Sequence, residues 1–357
     1  MLDAITIQGY KSIRNLENFR LRKLNVLVGE NGAGKSNFLG VFETLRKLTD
    51  VDGAQELSKT FDSNCFFGGR EATGKININI RSNVERYELE LCAEDERLFV
   101  HEKAFCLGQD GKDQLKRVNV NPRNSLLGDL ERDLLVNLNP GLIRCVAEPL
   151  KTLRLYKLRC PEVEKATRSC LRSESSETLD EHAERLAPFL YDLRQKKPNS
   201  YREIVRFLRL ALPFFDDFVL TPNEQGFVRL NWLGRAPLSR TFSPEELSSG
   251  AFRFAYFTTA LLQPNLPPLL LIDNPENELH PTALGLLVEL IKAASERTQV
   301  IVATQSPEIL DSLQPEDVIV VRREAGASTF HRLARPDLNV WLEDYALGEL
   351  WRRNIVS

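Results

Sequence analysis

The chain has 357 residues, 42% hydrophobic and 27% charged, and 47 Lys+Arg against 50 Asp+Glu leave a net charge of −3. This ordinary globular composition excludes a disordered, collagen-like or disulfide-scaffold chain, and the near-neutral balance leaves nucleic-acid binding to rest on local patches. No apolar stretch reaches the roughly 20 residues of a membrane span, and the opening residues Met1–Asn15 lack the pattern of a signal peptide. Six scattered cysteines without a CxxC pair and four scattered histidines read as reduced thiols in a cytoplasm, with no zinc site.

In chain order, Ala4–Gln8 and Leu24–Val28 are short β-type runs. The second leads into Gly29-Glu30-Asn31-Gly32-Ala33-Gly34-Lys35-Ser36-Asn37, and Phe38, Val41, Phe42, Leu45 and Leu48 then recur at helical spacing. Ile76, Ile78 and Ile80 alternate with polar residues, as do Tyr87, Leu89 and Leu91. With Leu98–Leu107 they predict an antiparallel meander with one wet face. Residues 121–212 read as mostly helical, with Ser200 and Glu203 as a capping box ahead of Ile204–Leu212 and no heptad to build a coiled coil. Residues 213–235 return to strand. Then helix from Ser249, strand Leu269–Ile272, helix Thr282–Glu296, strand Gln299–Ala303, short helix Pro307–Leu313 and strand Asp317–Val321 alternate, which implies a parallel sheet. The fold class is therefore α/β, a mixed sheet with an antiparallel meander. Its expected organisation is an N-terminal lobe 1–120, a helical insertion 121–212 and a C-terminal lobe 213–357.

Gly29-x-x-x-x-Gly34-Lys35-Ser36 matches the phosphate-loop pattern with strand before and helix after. Glycines let backbone N–H groups close around phosphate oxygens, and the helix N-terminus adds positive potential. Lys35 then reaches the β- and γ-phosphates of ATP, and Ser36 offers a hydroxyl to Mg²⁺. The second metal contact belongs at the end of a buried strand, where Leu269-Leu270-Leu271-Ile272 deliver Asp273. A turn-capping aspartate is the plain alternative. Between these motifs, Leu247-Ser248-Ser249-Gly250 opens a helix with hydroxyls, a glycine and free N–H groups, an anion site without a lysine.

The order of phosphate loop, Leu247–Gly250 and the acidic strand resembles ABC-type ATPases. The turn Gly9-Tyr10-Lys11-Ser12, the run Asp273–Pro281, Thr304-Gln305-Ser306-Pro307, Phe66–Gly69 and Trp341–Tyr345 are similar to stand-alone bacterial AAA-type ATPases of the SMC, RecF and OLD group. The resemblance covers 1–50, 66–70 and most of 200–357. It implies a P-loop NTPase fold and a homodimer that sandwiches ATP. In that dimer Gly29–Asn37 bind nucleotide, Ser36 and Asp273 hold Mg²⁺, Ser248–Gly250 act in trans, and Gln305 sits by the γ-phosphate; Lys11 is either a further phosphate contact or, the preferred reading, an exposed loop lysine. A lid glutamine is also implied, with Gln109, Gln114 and Gln195 as candidates. The group's roles lie in DNA maintenance and anti-phage defence.

One position departs from the pattern: Asn274 stands where the group carries the glutamate that activates water. An amide orients water but takes no proton, and losing a general base costs about 10²–10⁴ in rate. Either Glu276 substitutes, or ATP serves as dimer glue in a slow or silent hydrolase that regulates a separate effector. The OLD nuclease domain is not seen after Val321, so effector chemistry is assigned to a partner, a nuclease or toxin. DNA is a second candidate partner: Arg202, Arg206 and Arg209 share a helix face behind Arg194, Lys196 and Lys197, a stripe that a solvated surface explains equally well. His280 is read as the cap of the helix that Pro281 begins.

Overall fold

The computed structural model describes residues 1–50, 52–94, 97–107, 113–119, 125–127, 144–172, 178–237, 239–335, 338, 341 and 344–356. The chain divides into two compact units, 1–153 with 315–339 and 356–357, and 154–314 with 340–355.

The first unit opens with β1 (Ala4–Tyr10), β2 (Ile13–Arg20), β3 (Leu24–Val28), α1 (Lys35–Leu48) and α2 (Gly53–Thr60). The meander follows as β4 (Lys75–Arg81), β5 (Glu85–Glu94), β6 (Arg97–Leu107) and β7 (Asp113–Asn119), then α3 (Arg144–Thr152). Late in the chain β16 (Val318–Glu324) and β17 (Ala327–Arg332) complete it. An antiparallel sheet runs β2-β1-β4-β5-β6-β7. Its register sets Ile7 against Ile78 and Ile78 against Leu89, so one face is a closed apolar layer. Period-2 alternation sends Gln8, Asn77, Asn79, Glu88 and Glu90 to the other face, as expected of a meander with one wet side. Separately, β3 pairs in parallel with β16, and β16 in antiparallel with β17. All five residues of β3 are buried, as are Phe38, Val41, Phe42 and Leu45 of α1. Strand β2 escapes the sequence pattern because a bulge and the positive φ of 44° at Asn18 break its alternation.

The second unit contains β8 (Arg154–Tyr156), α4 (Cys160–Arg168), β9 (Leu171–Arg172), α5 (Leu186–Lys196), α6 (Pro198–Ala211), β10 (Phe215–Val219), β11 (Phe227–Val228), β12 (Asn231–Gly234) and β13 (Thr241–Phe242). It continues with α7 (Ser249–Leu262), β14 (Leu269–Asp273), α8 (Pro281–Ser295), β15 (Gln299–Thr304), α9 (Pro307–Leu310) and α10 (Leu347–Arg352). Strands β15-β14-β8 are parallel neighbours, and every residue of β14 and β15 is buried. Helix α7 is apolar nearly all round, with Ala251–Leu261 buried, the mark of a helix enclosed on every side.

One local expectation gains a strand and another needs correction. Within 121–212, read as mostly helical, 121–124, 128–143 and 173–177 lie outside the described residues, and the rest holds α3–α6 but also the short strand β8, paired with β14. A three-residue strand carries too few positions to show a period. The capping box at Ser200 and Glu203 does not form: α6 begins at Pro198, with Lys197 as its N-cap residue. Proline's fixed φ suits the first helical position and wins over a serine two residues on.

Candidate nucleotide-binding residues

The phosphate loop joins β3 to α1 inside the first unit. A Cβ at Gly29 would lie 2.3 Å from the Val321 carbonyl oxygen, so strand β16 forbids any side chain there. Gly34 has φ of +118°, and a Cβ on it would come within 2.1 Å of Ser328 Oγ and 2.9 Å of Ser12 Oγ. Only glycine meets both demands, conformational and steric. A chain of polar groups holds the loop from beneath. Asn37 Nδ2 donates to Ser12 Oγ at 2.7 Å, the Ser12 and Ser328 hydroxyls lie 2.7 Å apart, and Ser328 Oγ donates to the Ala33 carbonyl at 2.5 Å. The single Ser328 hydroxyl proton is thus shared between Ser12 Oγ and the Ala33 carbonyl. From the exposed side, Arg323 Nη1 donates to the Gly32 carbonyl at 3.3 Å.

Lys35 is buried, and its ammonium donates to the Gly29 and Glu30 carbonyls at 2.6 and 2.9 Å. The cation therefore lies within the curl of its own loop. Glu30, Asn31, Gly32 and Ser36 are exposed, whereas Ala33 and Gly34 are buried. Exposed peptide groups, an internal cation and the N-terminus of a 14-residue helix together make an anion site. Lys11 stands apart from this curl. Its backbone φ is 49°, its ammonium lies 5.3 Å from the Tyr10 ring centroid, and it would be 3.6 Å from a Cβ at Gly40, more than a turn into α1. Burial pushes the neighbouring Tyr10 phenol up.

The second unit holds the other candidates. Asp273 ends β14 with its side chain 2% exposed, and the Lys157 ammonium is paired to its Oδ2. Asn274 Nδ2 donates to Asp273 Oδ1 at 3.2 Å, while the Asn274 N–H donates to the Ala303 carbonyl at 2.8 Å. Asn274 has φ of +51°, in the left-handed region that asparagine tolerates better than most residues. Glu276 and Gln305 are brought together, the Gln305 N–H donating to Glu276 Oε1 at 2.9 Å. Ser248 is the N-cap of α7, its Oγ accepting from the Ala251 N–H at 3.3 Å, and both Ser248 and Ser249 are exposed. A Cβ at Gly250 would sit 2.2 Å from the Glu278 carbonyl oxygen. The first turn of α7 thus packs backbone to backbone on the turn after Asp273. Gly250→Ala is expected to cost about 1–3 kcal/mol by overpacking, read as a lower denaturation midpoint; an unchanged midpoint would show that this contact is loose. His280 caps α8, accepting from the Thr282 N–H at 3.3 Å.

The donors suit a hard cation. Asp273 is a buried carboxylate already holding one positive charge, and Ser36 is an exposed hydroxyl at a helix start. Mg²⁺ sites typically use one or two carboxylates with phosphate oxygens and water, and among the described residues no cluster of three or more His, Cys, Asp or Glu offers an all-protein cage.

Sequence reading missed Lys157, Arg253 and Ser328, and named Ser12 only as part of a turn. Arg253 is 1% exposed; it donates to the Leu158 carbonyl and its Nε lies 3.6 Å from Glu278 Oε2. Of the lid glutamines, Gln195 is exposed on α5, Gln109 lies outside the described residues, and Gln114 falls on β7 with no described side chain. The side chain that reaches Asp273 from the neighbouring strand is Lys157. On α6, Arg202, Arg206 and Arg209 are exposed; Arg202 bonds Asn199 at 2.5 Å and Arg209 pairs with Asp216 at 3.0 Å.

A family model described as "AAA domain, putative AbiEii toxin, Type IV TA system" matches residues 24–116 and 174–311. No curated protein matches. Among solved structures, an SMC head bound to the C-winged helix domain of ScpA aligns at TM-score 0.56 and 17% identity, covering 95% of this chain and 99% of that one. An SMC head domain with an extended coiled coil, bound to the C-terminal domain of ScpA derived from Pyrococcus furiosus, aligns at TM-score 0.52 and 14% identity, covering 96% and 99%. At these identities the likeness is one of fold: an ABC/SMC-type P-loop ATPase head. Among the described residues no helix is long and apolar enough to cross a membrane.

Proposed function

The chain belongs to the AAA_21 family of AAA domains, and from that premise we propose that it is a cytoplasmic ATP-binding switch that works as a homodimer. Gly29–Asn37 bind ATP, with Lys35 on the phosphates. Ser36 and Asp273 supply oxygen ligands to Mg²⁺. Ser248, Ser249 and Gly250 of one copy contact the γ-phosphate held by the other, and Gln305 with Glu276 forms the turn that responds to it. Lys11 reaches phosphate only by leaving its place beside Tyr10 and Gly40. Hydrolysis is slow because Asn274 supplies no base, and the effector is a separate protein, a nuclease or toxin, in DNA maintenance or anti-phage defence. Dimer closure changes the grip on that protein or on DNA.

The observation that carries this reading is the loop itself. Gly29 and Gly34 are enforced by contact, Lys35 lies inside the curl, and a helix N-terminus points out of it. Assembly tests it. Ser249→Arg puts a bulky side chain on the exposed start of α7, where γ-phosphate of the second copy would approach. Light scattering with Mg·ATP is expected to show monomers for this variant, with ATP affinity close to wild type. Dimers formed as readily as by wild type would remove the sandwich.

A second reading, a non-hydrolysing ATP-bound sensor or scaffold, is favoured by one observation. Asn274 is held by hydrogen bonds on both sides in a left-handed backbone. That is the geometry of a fixed structural amide.

A further inference from the structure

We infer that Lys157 is a resident cation of the Asp273 carboxylate, competing with Mg²⁺ for it, so that nucleotide binding depends less on divalent metal than Asp273 alone would make it. This rests on the reading of Asp273 as a metal ligand. Register creates the pair. Strands β8 and β14 are parallel, with Tyr156 opposite Ile272. The next residue of each chain segment, Lys157 and Asp273, therefore leaves the C-terminal edge of the sheet side by side. Asp273 has a side chain 2% exposed, and a carboxylate so enclosed requires a counter-charge. Lys157 provides it and is itself 28% exposed.

That difference in burial makes the lysine an exchangeable partner. Its backbone is fixed, since buried Arg253 donates to the carbonyl of the adjacent Leu158. Its head is a compact ammonium on a flexible four-carbon stem that can leave toward solvent without disturbing the strand. Asn274, bonded to the same carboxylate at 3.2 Å, adds no second negative charge to favour a divalent ion over a monovalent one. A glutamate there would shift that balance toward metal. Lysine and magnesium thus address one carboxylate, one covalently tethered and the other free.

The test compares dissociation constants for the fluorescent nucleotide mant-ATP in saturating Mg²⁺ and in EDTA, using the full chain. Removing the tethered charge removes one competitor of the metal at Asp273. The ratio of the EDTA to the Mg²⁺ constant is therefore expected to rise at least about tenfold in Lys157→Met, the loss typical of a charge-assisted contact. Lys157→Gln keeps a donor to Asp273 and loses only the charge; it must show the same rise, which guards against a folding defect in the methionine variant. Lys157→Arg should keep the wild-type ratio, and Asp273→Asn should bring it toward one. An unchanged ratio in Lys157→Met and Lys157→Gln, with Asp273→Asn still abolishing the metal effect, overturns the inference and leaves Asp273 a metal ligand. Loss of nucleotide binding in both media for both lysine variants overturns it too, because a competitor of the metal is dispensable when metal is present. A metal effect that survives Asp273→Asn removes the underlying reading, and the inference with it.

Discussion

Asn274→Glu is expected to raise ATP turnover by up to about 10²-fold, the contribution of a well-placed general base. The residue directly follows Asp273 at the end of a fully buried strand, so a carboxylate there would be delivered by rigid scaffold. The same change should lower stability by about 1–2 kcal/mol, because φ is +51° and glutamate tolerates the left-handed region less well than asparagine. Single-turnover kinetics and chemical denaturation read the two effects separately. Brisk wild-type turnover that collapses in Glu276→Gln would place the base two residues along, in the turn that already meets Gln305. No gain in the glutamate variant, with ATP still bound, would favour the scaffold reading.

Lys35→Ala should weaken ATP binding by about 10- to 100-fold, since charge-assisted contacts to phosphate are worth about 1.5–3 kcal/mol. A second effect is expected without nucleotide. The Lys35 ammonium serves the Gly29 and Glu30 carbonyls at 2.6 and 2.9 Å, and stripping the donor from the buried Gly29 carbonyl costs about 1–3 kcal/mol. Calorimetric titration with ATP and a denaturation curve of the ligand-free variant check both. An unchanged dissociation constant would mean that the loop is merely a turn.

The motifs legible in the sequence were those whose chemistry is local. Gly29–Ser36 lies between an apolar run and a helical period, and Asp273 ends four consecutive apolar residues, so pattern alone places them on strand ends. The helix starts at Ser249 and Pro281 were legible for the same reason, since caps are written within three residues. What supports those motifs was not. Ser12 and Ser328 meet across 316 positions, and a serine in a turn or strand carries no mark of its partner. Lys157 was hidden because β8 spans three residues inside a helical-looking stretch, and its role comes only from pairing with β14. The glycines illustrate the same limit: their spacing was visible, while the Val321 carbonyl that forbids a Cβ at Gly29 was not.

The brace beneath the phosphate loop also bears on how the protein is made. Ala33 waits for a hydroxyl that is encoded 295 residues later. At a synthesis rate of about 5–20 residues per second, the loop leaves the ribosome roughly 15–60 s before the hairpin of β16 and β17 that seats it. Closing so long a segment is entropically slow but not costly in proportion to its length. Until then Gly29 has no strand against it and Gly34 no reason to hold its left-handed turn. A nascent chain thus carries the phosphate-binding sequence without its shape, and nucleotide recognition waits for the segment that forms β16 and β17.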